Sequence, residues 1–502
     1  MLRVQVGNPL AELPSGAPIG ALVVAVAAVA AGAAAAAARP SIDLILLGCI
    51  GAVLFVPLLQ RWGTGTFDIF EPLTVFAVAF GVMFLARPVA MLAKDSLVVE
   101  STEGAAYDLR RTFSLMLTAA LIGAIGFQLG YASGLGSGLG RKLKGPPRAW
   151  HADTAVALAL VLTTAGVGLF GLFIFRSGGW DVLRHLLAGR DPSQVDLFRS
   201  SSAYLYRGIL LLIPSALILV ATGADRRRLG PTVLAAGVAA LVLMRAGPTG
   251  GRMMLLLLVG SLVTYYYLRT GKRPGAASVV VILIAVFLGI TFLRDVRTQS
   301  VREEQGAVSI LATSLSNPGD AFHRLLLGAD TDMAAMFALE MQVVPSERPY
   351  QLGRATVGDL IIRPIPRVLW PGKPRSPRED LIDSLWPTRY RAGVANPEFS
   401  SMAWFYLDAG LPGVFLGMFV LGVLFKASFA FFQSHRANAA AQVIYASLVP
   451  FMVAALRDSP TDTIAGMAFV TLPLALTLVL ARRPSQSAEE LSPLPMPEEA
   501  PT

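Results

Sequence analysis

Polar residues punctuate this chain at intervals, and between them run apolar stretches long enough to cross a bilayer. A transmembrane helix needs about 20 apolar residues. Segments of that kind fall near 19–38, 41–59, 70–86, 112–132, 152–175, 202–222, 229–246, 253–268, 276–293, 402–425, 438–456 and 463–480. The runs are continuous and do not alternate, which argues against an outer-membrane barrel. The pattern predicts an all-α, polytopic membrane protein of about 12 transmembrane helices, with a large, partly helical extracytoplasmic loop between helices 9 and 10. Helices 1–9 occupy 1–293, the loop 294–401 and helices 10–12 402–483; the Pro-, Ser- and Glu-rich tail 484–502 reads as disordered and cytoplasmic. The first segment is Ala-rich, like a signal peptide. Its apolar run is longer than a usual h-region and Glu12 spoils the n-region, so it reads as a helix.

Composition agrees with lipid as the solvent. Of 502 residues, 54% are hydrophobic and 15% charged, and the mean hydropathy is +0.60. Soluble domains carry about 25% charged residues. The net charge of +9 is explained by basic loops. Arg141, Lys142, Lys144 and Arg148 form one cluster, Arg226–Arg228 a second, and Arg269, Lys272 and Arg273 a third. Lys426 with Arg436, and Arg482 with Arg483, complete the set. Twelve spans put all five on one side, which the positive-inside rule makes cytoplasmic. The expected location is the cytoplasmic (inner) membrane, with both termini inside and 294–401 periplasmic or extracellular. No basic soluble module suggests nucleic acid. Cys49 is the single cysteine, so no internal disulfide can form. The stretch GLGSGLG, 134–140, lacks the GK[ST] ending of a phosphate-binding loop and reads as a flexible linker. No self-similarity between halves supports a two-repeat transporter.

A loop of about a hundred residues normally has its own fold and task. Its first part, 297–347, has helical periodicity, and its second, 348–400, is rich in Pro, Arg and Trp. From Arg348 to Arg378 there are seven basic residues (Arg348, Arg354, Arg363, Arg367, Lys373, Arg375 and Arg378) and one acidic, Asp359. The positive-inside rule does not explain a basic block on this side. Either it is a solvated or headgroup-binding face, or it is an anion site for phosphate or pyrophosphate, whose oxygens the arginine fork matches. Other ionisable residues gather on the same side: Arg207, Arg245, Arg252, Arg294, Asp408 and Arg457. Snorkelling to the interface accounts for Arg207. Arg245 and Arg252 bracket the turn AGPTGG and require no deep burial. Asp408 lies about two turns into its helix, where pairing with one of these arginines is the expected reason it is tolerated. His185 and His323 are the outer-side histidines, and a lone histidine is more often structural than catalytic. No HExxH, CxxC pair or GxSxG occurs outside, so neither a zinc enzyme nor a covalent hydrolase is expected.

The stretch LGRATVGDLIIRPIPRVLWPGKPRSPRED, 352–380, resembles the outer loop of bacterial O-antigen and exopolysaccharide repeat-unit polymerases of the Wzy type, with IPRVLWPGKP as the matching core. AGPTGGRMMLLLLVGSLVTYYYLR, 246–269, resembles the family's short outer turn before a helix. SMAWFYLDAGLPGVFLGMFVLGVLF, 401–425, resembles the helix that follows the large loop, and LRDSP, 456–460, the Arg-Asp pair between the last two helices. The long arginine-to-glycine spacing motif of some members is not clearly present. The resemblance implies transfer between polyprenyl-pyrophosphate-linked oligosaccharides in the outer leaflet, with polyprenyl pyrophosphate leaving and with no cofactor or metal. Arg252, Arg363, Arg367, Lys373, Arg457 and Arg245 are the candidate pyrophosphate contacts, and Asp408, His323 and Asp458 the candidate bases for the acceptor hydroxyl. A chain-length regulator is a further candidate partner. An O-antigen-ligase-like transferase, a lipid-linked sugar flippase and a membrane scaffold remain as alternatives.

Overall fold

The computed structural model describes residues 42–100, 106–183, 203–226, 229–249, 252–271, 328, 331–365, 369–391 and 397–482. Its helices are α1 Ile42–Gly63, α2 Pro72–Ala93, α3 Arg110–Ala132, α4 Gly134–Lys142, α5 Ala152–Ser177, α6 203–226, α7 Leu229–Thr249 and α8 Arg252–Thr270. After these come α9 Met333–Val343, α10 Pro377–Leu385, α11 Ser401–Ser434, α12 Ala439–Arg457 and α13 Pro460–Leu480. Nine described helices are long and apolar enough to cross a membrane, and the chain is a multi-pass membrane protein. Ten of the twelve expected segments coincide with described helices; 19–38 and 276–293 lie outside the described residues. One departure from the all-α expectation is a short antiparallel hairpin, Val98–Glu100 with Ala106–Asp108.

Local chemistry sets several helix starts. Ser400, Asn438 and Ser459 cap α11, α12 and α13 by accepting from Ala403 N, Ala440 N and Asp462 N. Pro460 occupies the first turn, where no amide donor is needed.

The helices pack into two apolar cores. One joins α1, α2, α3, α9 and α11; the other joins α5 to α8 with α12 and α13. Glycines allow the closest approach. A Cβ on Gly126 or Gly130 of α3 would collide with the Phe415 or Phe419 carbonyl of α11, and one on Gly136 or Gly140 with the Val423 or Ala427 carbonyl. The stretch expected to be a flexible linker is therefore α4, a helix whose small residues press its backbone onto α11. Dispersion between close backbones replaces the missing side chains.

Helix ends sort into two groups. His151 N donates to Ala481 O, Asn438 Nδ2 to Pro146 O, and Tyr445 Oη to Phe70 O. The loops after α1, α4, α11 and α13 therefore share one end. The described basic clusters, from Arg141 to Arg482, stand there. At the other end lie the starts of α3, α6, α11 and α13 and the described part of 294–401. That segment is not a separate domain. All of α9 but Gln342 is buried, and Thr112 Oγ1 of α3 donates to its Ala338 O at 2.7 Å. Arg87 of α2 pairs with Asp332 at 2.5 Å.

Candidate functional site

Asp462, in the first turn of α13, is where three separate parts of the chain converge. Arg207 of α6 reaches its Oδ1 at 2.6 Å, Arg363 of the loop its Oδ2 at 3.0 Å, and Arg378 of α10 the same oxygen at 3.9 Å. Ser459 donates to Oδ2 at 2.8 Å while accepting from the Asp462 amide, so the helix cap fixes the carboxylate. Arg378 also pairs with Glu398 at 3.0 Å and donates to Pro397 O at 2.9 Å. Arg363 lies 3.6 Å from Asp359, one helical turn earlier. Arg457 pairs with its neighbour Asp458 at 3.3 Å. Ser401 holds that corner by donating to Ala455 O and, at 2.9 Å, to Asp458 O.

Four arginines thus face four carboxylates at one end of the bundle. Burial pushes the Asp458 carboxyl up to about 7, against the pull of Arg457. Burial likewise raises Asp359, with Arg363 opposing. Burial pulls the Arg378 guanidinium down, but Glu398 and Asp462 outweigh it and hold it above its ordinary value. Arg207, Arg363 and Arg457 keep 30, 29 and 25% of their side chains exposed. A guanidinium carries five donors, so each can hold its carboxylate and address a ligand oxygen.

The site residues expected from sequence separate into groups. Arg363, Arg457 and Asp458 come together in this cluster. Lys373 does not face outward as a simple anion contact: its Nζ donates to Arg363 O at 2.8 Å and Ile365 O at 2.9 Å, folding the loop that carries Arg363. Arg245 is buried within α7, contrary to the expectation of a superficial turn residue. Its guanidinium lies 5.4 Å from the Phe170 ring and 4.9 Å from the Tyr206 ring and donates to the Tyr206 hydroxyl, so it supports the residue next to Arg207. Arg252 begins α8, and its side chain lies outside the described residues, as do Arg367 and His323.

Asp408 is tolerated for another reason than arginine pairing. Its carboxylate accepts from Ala355 N at 2.8 Å, Thr356 N at 3.0 Å and Thr356 Oγ1 at 2.5 Å. Three donors occupy both carboxylate oxygens, so Asp408 is accommodated in the helix without a guanidinium partner. Arg207, explained by snorkelling from sequence, instead makes the shortest contact to Asp462. Asp462, Asp359, Arg378 and Glu398 were not singled out as site residues by sequence. In Ser459-x-x-Asp462 the sequence offers a helix-capping pattern, which the structure contains, and nothing in it marks the second role.

A domain of unknown function, DUF8712, matches residues 203–431. That stretch is a little under half the chain and holds Arg207, Asp359, Arg363, Arg378 and Glu398; Arg457, Asp458 and Asp462 follow it. No curated protein and no solved structure matches the chain.

Proposed function

We propose that the chain is a glycosyltransferase of the cytoplasmic membrane that polymerises polyprenyl-pyrophosphate-linked oligosaccharide repeat units on the outer face. The observation that carries this reading is the arginine–carboxylate cluster around Asp462, at the bundle end opposite the basic loops. The positive-inside rule assigns that end to the outside, where a lipid-linked pyrophosphate would meet Arg207, Arg363 and Arg457 at the helix ends. The resemblance of 352–380 and 456–460 to Wzy-type polymerases is independent of that geometry.

In the reaction, an acceptor hydroxyl attacks the anomeric carbon of the donor glycan. The bond from that carbon to the pyrophosphate oxygen breaks, and polyprenyl pyrophosphate leaves with the bonding pair. Charge grows on the departing oxygen, and positioned guanidiniums can stabilise it by several kcal/mol, about 3–4 for one well-placed donor. Asp462 fixes Arg207 and Arg363 before the reaction, so no reorganisation is needed. Asp458, raised to about 7, takes the acceptor proton; a base is most effective with its pKa near the working pH.

The test is polymer analysis in a deletion strain complemented with variants. Arg363→Ala and Arg457→Ala should abolish chain growth at normal membrane abundance, with single lipid-linked repeats accumulating. Lysine should rescue poorly, because a point charge lacks the bidentate fork. Wild-type polymer lengths in both variants would overturn the site. Full-length lipid-linked polymer accumulating in the deletion strain would instead indicate transfer to another acceptor.

A further inference from the structure

The segment 350–365 follows an unusual course. Helix α11 is broken at Ala409 and Gly410, where Gly410 has φ 65° and ψ −149°. The break frees carbonyls of the preceding turn. Gln351 N donates to Leu407 O at 2.8 Å and Leu352 N to Asp408 O at 2.9 Å. Ala355 N and Thr356 N are taken by the Asp408 carboxylate. Arg354 N donates to Gln351 O, Gly358 N to Gly353 O and Arg363 N to Asp359 O. Tyr350 lies so close to Gly410 that a Cβ there would stand 2.8 Å from its hydroxyl. Most amide donors of this irregular strap are satisfied from within the protein, four of them, at Gln351, Leu352, Ala355 and Thr356, by the interrupted helix.

Its depth can be bounded. Helix α12 has 19 residues, about 28 Å at 1.5 Å per residue, barely the roughly 30 Å of a hydrocarbon layer. Its end at Arg457 therefore marks the boundary of that layer. Ser401, bonded to Ala455 O and Asp458 O, is level with that end. Asp408 is seven residues further along α11, about 10 Å deeper. The strap docked there nevertheless turns large apolar side chains outward: Leu352 is 86% exposed, Val357 60% and Ile361 67%. Arg354 shares the exposed face, and its length lets the guanidinium reach a headgroup. Ile464 on α13, which the short helix Asp359–Ile362 packs against, is also exposed, as are Leu416, Val420 and Leu424 further down α11.

We infer that 350–362 is a re-entrant strap whose outer face, Leu352, Val357 and Ile361, lies against the acyl chains of the surrounding bilayer leaflet. Lipid contact requires that backbone donors be met internally, and the Asp408 carboxylate and the broken turn of α11 meet those of Gln351, Leu352, Ala355 and Thr356. The charge at position 408 serves that need. Because Asp359 and Arg363 close the strap, its depth sets the height of the arginine cluster relative to lipid phosphates. The inference does not depend on the glycosyl-transfer reading.

Site-directed spin labelling of the full-length protein tests it. Cys49, the single cysteine, is replaced by serine, and one cysteine is introduced as Leu352→Cys, Val357→Cys or Ile361→Cys. Leu416→Cys serves as the lipid-facing control and Arg375→Cys, 58% exposed, as the aqueous one. In phosphatidylcholine–phosphatidylglycerol vesicles, labels at 352, 357 and 361 should favour oxygen over a water-soluble nickel chelate about as strongly as the label at 416. Chelate accessibility like that at 375 would overturn the inference. So would protection from both reagents that disappears at one copy per vesicle, which assigns the face to a second copy of this chain.

Discussion

The two ends of this bundle handle arginine differently. At one end, basic residues stand at helix ends and in short loops: Arg141 and Lys142 in the last turn of α4, Lys144 and Arg148 between α4 and α5, Arg436 between α11 and α12. Arg61 pairs with Glu71 there. At the opposite end Arg87, Arg110, Arg207, Arg363, Arg375, Arg378 and Arg457 each meet a carboxylate. Charges that set orientation act through long-range fields and need no partner. Charges that must hold a geometry at the edge of a low-dielectric layer need one, because an isolated ion there costs several kcal/mol. Carboxylate pairing therefore marks the arginines that hold a geometry at the outer end.

The sharpest way to break that contrast is to remove the hub. Asp462→Ala leaves Arg207 and Arg363 without their shared carboxylate and Arg378 without one of its two. Removing one partner of a buried pair costs about 3–5 kcal/mol, and the α13 cap loses the Ser459 contact as well. We expect a fall in thermal stability of the detergent-solubilised protein and more than a hundredfold loss of polymer. Arg141→Ala, at the other end, should leave both within about 0.5 kcal/mol and unchanged chain length. Equal effects of the two substitutions would erase the distinction between the ends.

Next in size is Asp408→Ala. It strips the acceptors from Ala355 N and Thr356 N, and hydrogen bonds to charged groups contribute about 1.5–3 kcal/mol each. Hydrogen exchange at 353–358 should accelerate by two or more orders of magnitude while α12 and α13 keep their protection. Asp408→Asn retains one acceptor oxygen and should fall between. Unchanged exchange in Asp408→Ala would remove the strap's anchor from the account.

A third test concerns protonation. Asp458 has its pKa raised to about 7, and a base must be ionised to accept a proton. Polymerisation in reconstituted vesicles should therefore fall about tenfold per pH unit below 7 and level off above it. Asp458→Asn should lower the plateau and abolish the acidic limb. A wild-type profile that is flat from pH 5 to 8 would dismiss Asp458 as the base.

What the sequence made legible follows the physics of each region. Lipid demands long unbroken apolar runs, so ten helices could be placed, although α2 and α11 run on past the expected ends, to Ala93 and Ser434. Helix α4 was illegible, because it has no apolar run; its stability comes from contacts of Gly136 and Gly140 with α11. Arg363, Arg457 and Asp458 were reachable as basic or paired residues beside the resemblance. Asp462 was not, since a capping pattern already explains it. The role of Asp408 was hidden for a deeper reason: its partners are backbone amides some fifty residues upstream, at Ala355 and Thr356, and a backbone donor leaves no mark on composition.

The smallest effect is expected at Arg375, and it sharpens the comparison from within. Arg375 belongs to the same basic block as Arg363 and also has a carboxylate, Asp383, at 3.2 Å. Its side chain is 58% exposed, however, and the pair stands outside the Asp462 cluster. Exposed pairs contribute about 0–1 kcal/mol, because water screens them and two long side chains lose freedom. Arg375→Ala should shift the melting temperature by no more than a few degrees and leave polymer length unchanged, whereas Arg363→Ala abolishes growth. If both substitutions stop polymerisation equally, the basic block acts as a diffuse field and the convergence on Asp462 is not what matters.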